Sequence, residues 1–345
     1  MPRYVSNPPN PWDSVHAEWL GEPPVASLEV YEEEAKSIIA SNDSPDVSFE
    51  YSVNPYRGCF HACAYCFARP THQYIGFGAG TDFERKIVVK VNAPELLRRE
   101  LSRKSWRGES LVFSGVTDCY QPLEAVYGLT RKCLEVCLEF RNPVGLITKG
   151  ALVRRDADLI AALSREADAS VHFSIPFDDE ATARLIEPNV ASPSQRFEAM
   201  AALSAAGIRT GIGIAPVIPG LNDADIAKLL ARAREAGARR AFIILLRLPA
   251  EVLPVFRERL EEAFPDRAAR IWSAIRQVRG GGLYDSRWHM RQSGSGPRWE
   301  AIENLFELEC RRLGLNAQEE DEARRPRART FRRPQTQASL FDTTP

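Results

Sequence analysis

The chain reads as an α/β protein built around a full or partial (β/α) barrel, and three observations lead there. Short β-branched or apolar runs alternate with stretches of helical period from about residue 48 to residue 250, the pattern of repeated βαβ units around a parallel sheet. Gly207 and Gly237 stand just after two of the helical stretches, where a left-handed stop belongs. A length of 345 residues is enough for one large α/β domain with appendages and needs no disulfides to bury a core. An open, doubly wound sheet is the competing architecture, and periodicity alone does not separate the two.

Residues 1–47 read as an extended arm, rich in proline (Asn7-Pro8-Pro9-Asn10-Pro11, Pro23-Pro24) and acidic at Glu32-Glu33-Glu34, with one short helix expected near Val30–Ile39. In residues 48–250 strands are expected at Val88–Val91, Ser110–Ser114, Val144–Thr148, Ser170–Ile175, Thr210–Ala215 and Ala241–Leu246. The helices between them fall at Pro94–Arg103, Leu123–Phe140, Asp156–Ala167, Ser194–Ala206 and Asp223–Ala236. Residues 251–315 read as a helical extension, with helices at Glu251–Phe264, Ala268–Val278 and Arg298–Leu313 around the loop Gly280-Gly281-Gly282. From residue 316 to 345 composition predicts disorder, with an acidic cluster followed by six arginines between Arg324 and Arg333.

The formal net charge of −1 excludes a generally basic nucleic-acid coat and a strongly acidic solvating chain. It also conceals segregation, since residues 1–50 carry ten acids against two bases. No apolar run is long enough to span a bilayer and the first residues lack a signal-peptide core, so the expected compartment is the reducing cytoplasm, with no membrane partner. In that compartment the seven cysteines are better suited to metal binding or chemistry than to bridges.

Three of them are spaced C-x3-C-x2-C as Cys59, Cys63 and Cys66, within Tyr56-Arg57-Gly58-Cys59-Phe60-His61-Ala62-Cys63-Ala64-Tyr65-Cys66. Thiolates that converge from one loop suit an iron–sulfur cluster. With no fourth cysteine nearby, zinc would need His61 or His72 to close its tetrahedron. Three ligands on a [4Fe–4S] cluster leave one iron open to a small molecule. Cys133 and Cys137 share one helix face and read as core, as does Cys310; Cys119 fits either an inert core thiol or a chemical one.

The motif, with Tyr65 before its last cysteine and βα repeats after it, resembles the radical S-adenosylmethionine (SAM) superfamily. That resemblance implies a partial (β/α)6 TIM-like barrel of the radical SAM type, with the N-terminal arm and C-terminal helical extension outside it. It further implies Cys59, Cys63 and Cys66 as cluster ligands, SAM on the open iron, an electron donor such as flavodoxin or ferredoxin, and a 5′-deoxyadenosyl radical that takes hydrogen from substrate. SAM contacts are then expected at strand ends: Ser114, Thr117 and Asp118 after the second core strand, Thr148 and Lys149 after the next, Ser174 after the one beyond it, and the Pro216 segment against adenine.

The wording Asn54-Pro55-Tyr56-Arg57-Gly58-Cys59, Asp118-Cys119-Tyr120-Gln121-Pro122-Leu123-Glu124 and Ile147-Thr148-Lys149 resembles spore photoproduct lyase-like proteins, and within them a bacterial subgroup of "DNA repair photolyase" type. The run Arg279–Trp288 fits the same subgroup. The resemblance implies a DNA substrate and lyase-type repair in which a cysteine returns a hydrogen atom. Val116 stands where that cysteine aligns, which leaves Cys119 or Tyr120 as hydrogen-relay candidates. Chemistry on a protein, peptide or metabolite, or a non-catalytic metal-stabilised module, are the alternatives. Arg287, Trp288, His289, Arg291, Arg298 and Trp299 suggest a nucleic-acid surface by composition. Gln337-Ala338-Ser339-Leu340-Phe341 resembles the short peptide by which bacterial DNA-processing proteins dock on the replication sliding clamp.

Overall fold

In the computed structural model the described residues are 27–317 and 329–334. Six parallel strands form the centre, paired in chain order: β3 (Tyr51–Val53), β6 (Leu111–Phe113), β7 (Val144–Thr148), β8 (Ala169–Ser174), β9 (Arg209–Val217) and β10 (Arg240–Leu245). Sequential neighbours linked by crossovers make a barrel wall, and the sheet ends at β10 on one side and at β2 (Ile39–Ser41), antiparallel to β3, on the other. The architecture is a partial (β/α)6 barrel, and the strand order excludes the doubly wound alternative, which reverses direction at a switch point.

The crossovers are α2 (Ala93–Leu101), α4 (Leu129–Glu139), α5 (Ala157–Glu166), α7 (Pro193–Ala205) and α8 (Ile226–Glu235). Local chemistry fixes several starts. Pro94 opens α2, and Ser192 with Gln195 forms a capping box ahead of Pro193 on α7. A short α6 (Glu180–Ile186) is capped by Asp179. Along β7 buried and half-buried residues alternate, so Val144 and Leu146 pack outward beneath the helices while Gly145 and Ile147 line the interior. Beyond the barrel lie α9 (Val252–Ala263), α10 (Ala268–Gln277) and α11 (Pro297–Leu313).

A second, three-stranded sheet departs from expectation. Val88 and its neighbours form β5 (Lys86–Lys90), which leaves the barrel to pair with β1 (Glu29–Glu33) and β4 (Tyr56–Arg57). The first barrel strand is instead the three-residue β3. The helix expected near Val30–Ile39 is absent: Glu29–Glu33 and Ile39–Ser41 are strands, and parallel pairing to the buried β5 overrides the helical propensity of consecutive glutamates. The single helix expected over Leu123–Phe140 is two, α3 (Glu124–Tyr127) and α4, broken at Gly128 with φ +62°.

The open seam of the barrel is covered by the glycine-rich loop. Leu245 N donates to Gln292 O at 2.9 Å on the free edge of β10. From the same loop His289 N and the Arg291 side chain reach Asp46 in the β2–β3 turn. Those contacts revise the nucleic-acid surface suggested by composition. Arg287 pairs with Asp285, Arg291 with Asp46 and Arg298 with Asp223, while Trp299 is 2% exposed and hydrogen-bonded to Ser293. These cations are neutralised within the protein; Trp288 and His289 stay exposed.

Part of the expected disordered tail is docked. Thr330 Oγ1 donates to Arg141 O and Ala167 O, Arg332 N to Phe140 O, and Arg333 to Arg103 O and Trp106 O; Phe331 stacks on Phe140. Gln337–Phe341 lies outside the described residues. Gly108 makes the docking possible: it has φ +84°, and a Cβ there would stand 2.3 Å from the Phe331 Cβ. Gly108→Ala is expected to release this segment, seen as faster tryptic cleavage after Arg329 and Arg332 than in the parent protein.

Candidate functional site

The three motif cysteines sit on the loop after β3 and β4, at the C-terminal end of the barrel strands, the face where α/β barrels hold their chemistry. Cys59 and Cys63 are buried, Cys66 is partly so, and all are free thiols. Gly58 lets the chain enter the loop with φ +75°; a Cβ would stand 2.9 Å from the His72 ring and 3.0 Å from Phe83 O.

Five elements then fasten the loop backbone. Cys59 N donates to Phe83 O (2.9 Å) and Ala64 N to Ile186 O (3.0 Å). Asn189 Nδ2 donates to Phe60 O (2.8 Å), Phe60 N to Gln121 Oε1 (3.0 Å), and the fully buried Arg69 to Cys63 O (2.9 Å). Thr117 Oγ1 and Gln121 Nε2 both donate to Gly58 O. A loop held this way is set before any ligand arrives.

Burial pushes the Cys63 and Cys66 thiols up, whereas Cys59, also buried, is held down by His61. Cys59 and Cys66 both act electrostatically on Cys63, and Cys59 on Cys66, as side chains around one centre do. Among the described residues no three His, Cys, Asp or Glu side chains close on one point as a single ion requires. In a four-iron cluster each thiolate takes its own iron, so the ligands stand apart, and an all-thiol donor set suits it. His72 does not complete a zinc site: its Nε2 bonds Lys86 O at 2.9 Å, and burial holds its pKa down to about 4.

Beside the loop, polar groups run across the ends of four strands. Asp118, after β6, accepts from Thr148 Oγ1 (2.6 Å), Lys149 N (2.7 Å) and Tyr120 N (2.9 Å), with His61 Nδ1 at 3.4 Å. Although burial raises it, His61 and these donors hold the Asp118 carboxyl at about 2. Lys149 Nζ donates to Ser174 Oγ (2.8 Å), which donates to Ala215 O on β9 (3.0 Å). Pro216 comes next, its carbonyl held by the buried Asn222, which also reaches Pro176 O.

Family comparison agrees with this arrangement. Residues 53–233 match the Radical SAM superfamily. The chain belongs to the radical SAM superfamily. An uncharacterized protein of Mycobacterium tuberculosis is 38% identical over 231 residues, covering 66% of this chain and 68% of that one. A radical SAM Nalpha-GlyT isomerase of Pseudomonas phage M6 is 27% identical over 241 residues, covering 69% and 48%. Among solved structures, spore photoproduct lyase complexed with dinucleoside spore photoproduct superposes with a TM-score of 0.59 at 15% identity, covering 83% of this chain and 80% of that one. At that identity the likeness is one of fold. The protein is a radical SAM enzyme, and its cofactors are a [4Fe–4S] cluster and SAM.

Within this radical SAM barrel the expected contacts have distinct surroundings. Ser114 Oγ accepts from Cys119 N, and Thr117 grips the cysteine loop; both shape the loop after β6. Asp118 accepts three hydrogen bonds within the protein and faces His61 as a charge partner, so it ties β6 to β7. Lys149 has one partner for three N–H donors and keeps capacity for an anion. Cys119 and Tyr120, the relay candidates, are 1% exposed in the main core, the Tyr120 hydroxyl bonding Asp156 at 3.1 Å. Their surroundings are those of packing residues. Val116 instead packs against the cluster of side chains around Cys59 and Cys66.

Sequence reading missed a buried triad. The Tyr65 hydroxyl donates to Glu187, which pairs with Arg196, and Arg196 also donates to Ser174 O at 2.8 Å and Ala191 O at 2.7 Å. The aromatic at Tyr65 was a signal; its partner lies 122 residues away, and nothing local marks it. Arg196→Met strands the Glu187 carboxylate in the interior and is expected to cost about 3–5 kcal/mol, read as a lower denaturation midpoint of the apo-protein. Glu187→Gln, which keeps a neutral acceptor for Tyr65, should cost less.

Proposed function

We propose that Cys59, Cys63 and Cys66 ligate the [4Fe–4S] cluster and that the enzyme acts on DNA in lyase-like repair chemistry. The observation that carries the first part is the thiol loop itself, three free cysteines fastened by five elements at the functional face of the barrel. When bound, the reduced cluster supplies the electron that cleaves SAM and so the radical that takes hydrogen from substrate. Lys149, oriented by Ser174, pairs with the SAM carboxylate through its remaining donors. Thr148 and Asp118 hold that lysine's backbone in place, and the β9 backbone through Ala215 and Pro216 forms an apolar wall for adenine. His61 stays inside the loop as the charge partner of Asp118.

DNA as substrate is supported by the fold shared with an enzyme seen complexed with a dinucleoside photoproduct. It is supported also by the terminal Gln337-Ala338-Ser339-Leu340-Phe341, which we assign to docking on a sliding clamp. A flavodoxin or ferredoxin of the cytoplasm is the matching electron source. Val116 at the position of the lyase's donor cysteine favours a reaction in which no cysteine at that point returns hydrogen, and the likeness to an isomerase keeps rearrangement as a second reading.

Anaerobic reconstitution should give about four irons and four sulfides per chain and, with dithionite and SAM, 5′-deoxyadenosine. Cys63→Ala should lose both the cluster absorbance and that product while retaining the far-ultraviolet dichroism of the parent. Deuterium passing between DNA and 5′-deoxyadenosine identifies the substrate; label that exchanges only with a peptide or metabolite rejects the DNA reading. Separately, deleting Gln337–Pro345 should abolish capture by purified sliding clamp, and failure of the intact chain to be captured would sink that assignment.

A further inference from the structure

The cysteine loop is flanked by two phenylalanines, Phe60 after Cys59 and Phe67 after Cys66, and each carries an arginine on its face. The Arg85 guanidinium lies 4.8 Å from the Phe60 centroid and that of Arg247 4.9 Å from the Phe67 centroid. Most arginines near the barrel mouth are neutralised. Arg196 has Glu187, Arg69 has Glu84, and Arg279 donates to four backbone carbonyls of Leu246, Met290, Arg291 and Ser293. Arg247 and Arg85 differ: among the described residues no hydrogen bond or ion pair reaches either guanidinium, and each Nε is buried with no acceptor, but Arg85 is 4% exposed whereas Arg247 is open to a ligand.

Arg247 is half-buried, so its Nε–H is shut off from water without an acceptor while the rest of the guanidinium, paired with no carboxylate, is left to a ligand. Arg247 is also close enough to Arg279 to act on it as a like charge, which deepens the local positive field. Its place is informative. Arg247 lies two residues past β10, on the end of the barrel that carries the cysteine loop, and Leu246 beside it bonds Val217 O on β9. Phe67 beneath it is 49% exposed although it adjoins the buried motif. The pair is thus a half-exposed aromatic ring with a cation over it, one residue from a motif cysteine.

We propose that Phe67 and Arg247 form a nucleotide subsite, the ring stacking a base and the guanidinium pairing with an adjacent phosphate of DNA. This rests on the DNA reading above and names the groups that would seat the strand at the cluster. Planar stacking with bidentate anion pairing is what arginine offers and lysine does not. The remaining faces of the ring and of the guanidinium are complementary to a base and its phosphate, whereas an uncharged metabolite would leave Arg247 unneutralised.

The test is fluorescence anisotropy of the reconstituted full-length protein with a short labelled oligothymidylate, over a salt series. Phe67→Leu should weaken binding about tenfold with the salt slope unchanged. Arg247→Ala should weaken it by a similar factor and lower the slope by about one. Arg247→Lys should restore the slope but only part of the affinity, which keeps the test valid if the alanine variant folds poorly. A parent protein that binds while all three variants match it in affinity and slope overturns the subsite alone. A parent that binds no oligonucleotide overturns the DNA reading and the subsite with it. Loss of labelled SAM in equilibrium dialysis of Arg247→Ala, with oligonucleotide affinity intact, assigns the arginine to the cofactor and also overturns the proposal.

Discussion

A carboxylate removed from water has to recover hydrogen bonds or charge, and Asp118 recovers both from separate segments. Thr148 and Lys149 approach from the end of β7, Tyr120 from its own loop, and His61 from the cysteine loop. One side chain therefore fixes the relative height of two barrel strands and the loop that carries the thiols. The reach of Lys149 depends on that placement. With its backbone N–H bound to Asp118, Lys149 directs its ammonium to Ser174, and Ser174 in turn holds the β9 backbone at Ala215. Arg196 grips the carbonyl of the same serine from below and reaches back through Glu187 to Tyr65 in the motif. The polar groups close a circuit, from motif to β6, β7, β8 and back to motif, so a shift in one strand end is opposed by the others.

What the chain announces locally and what it does not divide along physical lines. The cysteine spacing is local, since three thiols in eight residues need no knowledge of the fold. The barrel helices and most strands were legible because their period and their caps, such as Ser192 with Gln195, are local as well. β3 escaped notice because three residues carry no measurable alternation. β5 was legible as a strand, but its sheet was not, since pairing with β1 and β4 rather than β6 is decided by partners up to 57 residues away. The arginines of the glycine-rich loop misled for a related reason. Composition counts charges, whereas Asp46, which neutralises Arg291 and orients the loop, lies some 245 residues earlier.

The relay candidates show the same limit at the scale of one loop. Cys119 and Val116 are three residues apart, and spacing favours neither. The loop turns through Ser114 at φ +80°, with Asp118 fixed to β7, and this carries Cys119 into the main core and leaves Val116 beside the motif cysteines. A branched hydrocarbon side chain has no weak S–H bond to give. If hydrogen is returned within this protein, it comes from a group the lyase resemblance does not supply, or from the substrate itself, as in a rearrangement.

Electrostatics bears on the substrate in the same manner. A near-neutral chain can hold a polyanion only where cations are left unpaired, so the count of arginines matters less than how many have already found acids. Around the barrel mouth most have done so, through Glu187, Glu84 and Asp223, or through backbone carbonyls in the case of Arg279. Such pairing lets the mouth be polar without being generally basic, which limits non-specific adhesion. Charge that remains unneutralised beside the motif, as at Arg247 over Phe67, then acts locally, where it can orient a bound anion rather than merely attract one.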